Sequence, residues 1–234
     1  MIAPPPEFPS RRHRIVDLLL VLAFAFSLSL VLSVYLLFSG EQAPDNSNYA
    51  TMRFIEGLLT ELTTLALLIC LLSRQGRSLR DIGFRLEWKD FPRTILVWLA
   101  SMIFYSAFYY LLYYLFAANH IKVSGPANVA FLYSARHSWN LLLAVPFAII
   151  NPFFEELIVR AYLISELEYL TGRTWLAGLA SVALQVSYHL YQGWFPALCY
   201  VGLFGVFTLY YIRARRITPV IFAHMIDDLS TVLF

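Results

Sequence analysis

Apolar residues run along this chain in long blocks broken by short polar stretches. No run of short alternating segments, as a β-barrel would need, is seen. Blocks near 20 residues suit helices crossing a hydrocarbon core about 30 Å thick. A helix also satisfies its own backbone groups, which lipid cannot do. Seven helices are predicted: Ile15–Phe38, Phe54–Leu72, Ile95–Phe116, Trp139–Leu170, Trp175–Gln192, Phe195–Ile212 and Thr218–Phe234. The fourth is too long for one span at about 1.5 Å per residue. Asn151-Pro152 lies inside it, and the residue before a proline avoids the α region. A kink, or a span followed by an interfacial helix, is expected there. The fold class is therefore all-α: a polytopic transmembrane helical bundle of about seven spans. No repeat or second domain is seen, so residues 1–234 read as a single integral-membrane domain.

Composition agrees with that class. The chain is 59% hydrophobic and 14% charged, against about 25% charged in soluble domains. A net charge of +2 suggests no nucleic-acid partner. The lipid bilayer is the partner implied. Cys70 and Cys199 lie in apolar spans and read as free buried thiols.

Orientation follows from Lys and Arg, which collect on the cytoplasmic side. Arg11, Arg12 and Arg14 precede the first helix; Arg74 to Arg93 fill the second connection; Arg173 sits in the fourth; Arg213, Arg215 and Arg216 sit in the sixth. The opposite side has Arg53, Lys122 and Arg136, with Glu41 and Asp45 in its first loop. The N-terminal tail, residues 1–14, is expected in the cytoplasm and the C-terminus outside. The apolar run after the tail is too long for a signal segment and reads as a retained span. Arg77–Asp90 reads as an interfacial loop or short amphipathic helix, and Glu166 and Glu168 are expected at the cytoplasmic surface.

Charge inside a span is costly and marks an interior or water-facing position with a partner. In NPFFEELIVRAY, Glu156 and Arg160 are four apart and read as a structural ion pair. That leaves Glu155 without an obvious partner. An unpaired intramembrane carboxylate is a candidate general base. His189 sits inside the fifth helix; His224 and Asp228 share a face of the seventh. A base to activate water and donors for an oxyanion are the requirements of hydrolysis. Glu155, His189, His224 and Asp228 could equally make a tetrahedral zinc site. Glu61 needs a partner or a polar cavity, and Asp227 points to a different face from Asp228.

Taken in order, Glu155-Glu156-x-x-x-Arg160, His189 and His224-x-x-x-Asp228 resemble the motifs EExxxR, FxxxH and HxxxN or HxxxD. These belong to the type II CAAX prenyl endopeptidase family, also called the CPBP or Abi intramembrane proteases. The match covers the motif-bearing region, residues 151–228, and SLRDIGFR is similar to an upstream segment of the family. Three positions depart from the pattern. Gln185 stands where the family usually has Phe, Ala161 where FRG would place Gly, and Asp228 where eukaryotic members have Asn.

The resemblance implies an endopeptidase in which Glu155 and His189 activate water. His224 and Asp228 assist the oxyanion, and Glu156 and Arg160 support them. It implies a metal-independent mechanism and no bound cofactor, and a peptide substrate, best known in the family as a prenylated CAAX C-terminus. Such a tail would require the cavity to open toward the cytoplasm. The rival is a non-enzymatic membrane scaffold or bacteriocin-immunity protein of the same fold. Helix counting places His224 about 10 Å from the cytoplasmic end and His189 about 20 Å. A shared site therefore requires tilted helices or offset ends.

Overall fold

The computed structural model describes residues 10–41, 44, 46–123 and 139–234. The tail residues 1–9, Asp45 and Arg136 lie outside the described residues. Among those described, every regular element is helical: α1 (Arg11–Ser39), α2 (Ser47–Arg74), α3 (Asp90–Ala118), α4 (Leu141–Thr171), α5 (Thr174–Tyr188), α6 (Trp194–Ala214) and α7 (Thr218–Leu233). The seven predicted helices are all present. Five are long and apolar enough to cross a membrane; α5 and α7, with 15 and 16 residues, are shorter. The chain is a multi-pass membrane protein.

Polar caps begin the first two helices where apolar periodicity alone would start them later. Ser10 accepts from the His13 N–H at 3.4 Å, and Asn46 from the Tyr49 N–H at 2.9 Å. Each satisfies an orphan donor of the first turn. The helix α4 is continuous, and its irregularity falls after Pro152: Glu156–Tyr162 is a π-helical stretch between two α-helical parts. Such stretches widen a turn and are frequent at functional sites.

The helices close into a ring. α1 packs on α2 and α5, α2 on α4, α4 on α7, α7 on α3, α3 on α6, and α6 on α5. The π stretch, buried at every residue, carries α4 through the middle.

Arginines gather at one end of this ring. Arg14 holds the fully buried Glu166 through two nitrogens at 2.7 Å, and Arg77 pairs with the same carboxylate. Glu166 is thus an internal staple and not the surface residue expected, whereas Glu168 pairs with Arg215 at 2.6 Å and is partly exposed. Arg77–Asp90 is neither loose nor an amphipathic helix. It makes a single 3-10 turn, Leu79–Ile82, capped by Ser78 and Asp81. The Ser78 N–H and hydroxyl hold the Asp81 carboxyl below its ordinary value. Gly83, at φ +93°, accepts at its carbonyl from the Ile217 N–H at 3.0 Å. Thr218 donates to the Arg85 carbonyl at 2.7 Å and accepts from its N–H at 3.1 Å. Arg216 clamps the same stretch through Asp90 at 2.6 Å and Glu87 at 2.7 Å, and these carboxylates raise its pKa.

This docking starts α7 inside the protein. Ile217 and Thr218 are fully buried. The first residues of α7 thus lie beneath the Arg77–Asp90 stretch and not at an exposed end.

Candidate active site

Glu155 is the last α-helical residue of α4 before the π stretch and is 6% exposed. Its Oε2 accepts from Gln185 Nε2 at 2.6 Å. Gln185 is fully buried on α5, one turn before His189. The backbone carbonyl of Gln185 faces His189 Nδ1 at 2.8 Å. A carbonyl only accepts, so Nδ1 carries the proton, and the neutral ring is left with a basic Nε2. Gln185 thereby touches both residues, through its side chain and its backbone. His189 itself ends α5 as its C-cap, and the rings of Tyr188, Tyr200 and Phe204 pack around it at 4.7, 5.2 and 5.3 Å between centroids.

A second chain of contacts starts at Arg160. This arginine is fully buried, 2.7 Å from the Glu156 carboxylate, with its guanidinium 5.1 Å from the Phe204 ring and 5.4 Å from that of Phe207. The predicted ion pair is present, and Glu156 does more than neutralise Arg160. Its Oε1 also lies 2.8 Å from His224 Nδ1, fixing a proton there because a carboxylate accepts. His224 Nε2 then faces Asp228 Oδ1 at 3.5 Å, and Asp228 Oδ2 accepts from Asn151 Nδ2 at 2.9 Å. Asp227, which also lines the cavity described below, accepts from Trp98 Nε1 at 2.7 Å.

The two chains meet. Glu155, Glu156 and His224 each offer a ligand-type atom within 4.8 Å of the others. Glu155 and His224 line a cavity of about 720 Å³ that also receives His189 and Asp228. All four residues singled out in the sequence thus reach one cavity. Glu61 lines it too, 4% exposed, with an Oε2 that no described group bonds.

The compact set Glu155, Glu156 and His224 does not fit a zinc centre. Glu156 already takes Arg160 and His224, and a guanidinium 2.7 Å away opposes a cation at that carboxylate. His189 keeps its Nε2 free but does not belong to the 4.8 Å group.

Sequence reasoning misses two residues of the site: it takes Asn151 only as the residue before Pro152 and Gln185 only as a departure from FxxxH. Glu61, expected to need a partner or a polar cavity, lines the cavity. In both missed cases the signal is a polar side chain in an apolar helix. What it faced could not be read from spacing along one helix.

The cavity lies toward one end of the bundle. Its walls come from Ala25 to Leu32 of α1, Arg53 to Glu61 of α2, Met102 to Tyr113 of α3, and Phe147 to Glu155 of α4. It is completed by the end of α5, the start of α6 and the second half of α7. Each of these is the half farther from the arginine-rich end. The packed π stretch and the buried Glu166 staple fill the bundle toward the arginine-rich end.

No curated protein and no solved structure matches the chain. Residues 137–230 match the model of a family described as Type II CAAX prenyl endopeptidase Rce1-like. That region contains Glu155, Glu156, Arg160, Gln185, His189, His224 and Asp228. That similarity to the Rce1-like family of type II CAAX prenyl endopeptidases covers less than half of this membrane protein and includes its motif-bearing part.

Proposed function

We propose that the chain is an intramembrane endopeptidase in which Glu155 is the base that activates water. The observation that carries this reading is the meeting of Glu155 and His224 within 4.8 Å at a cavity of about 720 Å³. A water held between Glu155 and the basic Nε2 of His189 attacks the scissile carbonyl carbon. Its proton passes to the Glu155 carboxylate. His224, flanked by the Glu156 and Asp228 carboxylates, acts as an imidazolium with protons on both nitrogens; its Nε2–H stabilises the resulting oxyanion, and Asp228 holds the ring in place. On collapse the C–N bond breaks, and Glu155 returns the proton to the departing amine. Glu156 and Arg160 position His224 and touch no reacting atom.

Prenylated CAAX-type C-termini are the substrates suggested by the family. The test is cleavage of a farnesylated CAAX peptide, and of the same peptide without the prenyl group, by purified protein in detergent. Glu155→Gln keeps the size and removes the base. Cleavage of either peptide by the wild type is expected to vanish in this variant. Equal cleavage by both proteins overturns the role of Glu155. The rival scaffold reading predicts no cleavage, and it leaves five buried or part-buried polar groups converging on a cavity with nothing to do.

A further inference from the structure

We propose that the connection between α2 and α3 carries a binding site for the phosphate headgroup of an anionic phospholipid, with Arg80 and Arg85 as the residues that hold it. The site stands apart from the hydrolytic reading. It gives a use to the SLRDIGFR segment, which does not line the large cavity. Helix length places this connection at a membrane surface. The two helices it joins have 28 and 29 residues. At about 1.5 Å per residue each is about 42 Å long, more than a hydrocarbon core of about 30 Å. The ends that meet at residues 75–89 therefore stand among headgroups.

Charge then selects the headgroup. The carboxylates of the connection are already engaged. Arg216 takes Glu87 and Asp90. Asp81, whose charge Arg85 also senses, accepts from the Ser78 N–H and hydroxyl at 2.7 and 2.8 Å. Arg77 and Arg93 have carboxylate partners as well. Arg80 and Arg85 are exposed, and neither guanidinium makes an ion pair or hydrogen bond with a described residue. Both line a pocket of about 430 Å³ between the 3-10 turn and the segment after Gly83. Its floor is apolar, with Leu79 and with Phe84 seated 6.0 Å from the Phe153 ring. Two planar guanidiniums at one pocket suit a phosphate diester, whose oxygens accept paired N–H bonds.

Apolar neighbours make that phosphate a lipid's and not a free anion. Leu86, which also lines the pocket, is 68% exposed, and Trp88 and Phe91 beside it are 98% and 73% exposed. In water such a cluster would be costly, whereas an indole sits well between headgroups and acyl chains. Basic residues next to a span attract anionic lipids for the same reason of place. The occupant would also steady the fold. Arg80 belongs to the 3-10 turn and Arg85 to the segment whose backbone holds Thr218, so a shared headgroup ties together the two arms on which the start of α7 rests.

The test is native mass spectrometry of the full chain in a neutral detergent, titrated with phosphatidylglycerol or phosphatidylcholine, and with inorganic phosphate as competitor. Phosphatidylglycerol is expected to bind at about tenfold lower concentration than phosphatidylcholine. Arg80→Gln/Arg85→Gln is expected to abolish that preference. Arg12→Gln/Arg173→Gln, which removes the same charge from exposed positions elsewhere at that end, is expected to keep it. Arg80→Lys/Arg85→Lys keeps the charge and loses the paired donors, so it is expected to weaken the preference with the melting temperature unchanged, which separates recognition from folding. No preference in the wild type, or the same preference in Arg80→Gln/Arg85→Gln, overturns the proposal. Equal loss in Arg12→Gln/Arg173→Gln overturns it too, because the lipid would then answer to net charge alone. Displacement of the lipid by an equal concentration of inorganic phosphate would make this a free-anion site and overturn the lipid assignment.

Discussion

Gln185 shows how one residue can be a departure in the sequence and a component in the structure. Its amide donates to Glu155 at 2.6 Å, and its carbonyl fixes the tautomer of His189. A phenylalanine there would supply only the second contact. A hydrogen bond to a charged group contributes about 1.5–3 kcal/mol. Gln185→Leu is therefore expected to lower kcat by about ten- to a hundredfold, read in the same peptide assay. Thermal stability should hold, because Gln185 Oε1 meets no described donor and leucine removes that buried acceptor. A kcat unchanged within twofold would show that Glu155 does not depend on this donor. Glu156 and Arg160 make the complementary point. Spacing four apart was enough to pair them, but the attachment of His224 to the same carboxylate requires α7 to lie against α4.

Among the elements, the Arg77–Asp90 stretch decides where α7 begins. Its hinge is Gly83, whose φ of +93° disfavours any side chain. A Cβ there would also stand 2.6 Å from the Arg215 carbonyl oxygen. Gly83→Ala is expected to push this stretch off the α6–α7 connection, loosening the Thr218 and Arg216 contacts. The expected result is a lower melting temperature in detergent, with loss of cleavage out of proportion to the loss of folded protein, because His224 is displaced. A melting curve and activity that match the wild type would remove Gly83 from this role. The π stretch is the other decisive element. The sequence located an irregularity in this helix through Asn151-Pro152, but the structure keeps the helix whole and widens the turn one residue after Glu155.

At the scale of the whole molecule, a closed ring of helices holds a cavity in one half and a plug of buried side chains in the other. Zinc chemistry would need its ligands free at the cavity floor. Glu156, next to Glu155, is occupied by Arg160 and His224. Treatment with a chelator such as 1,10-phenanthroline is therefore expected to leave peptide cleavage unchanged. Metal analysis of the active protein should find less than one zinc per chain. Loss of activity that zinc restores would reverse that expectation.

The sequence alone determined the class of the protein, its seven helices, its basic end and the residues on which chemistry is placed. It could do so because those features are local: apolar run length fixes helices, Lys and Arg counts mark an end, and a charge within a span has to have a use. Tertiary structure decided the rest. Depth counted along separate helices leaves His189 and His224 about 10 Å apart, yet both line one cavity, because the count ignores how the helices tilt and pack against one another. The partners Gln185, Asn151 and Glu61, and the side on which the cavity lies, depend on which helices face one another. That packing is set by contacts between residues far apart in the chain, which no periodicity along a single helix encodes.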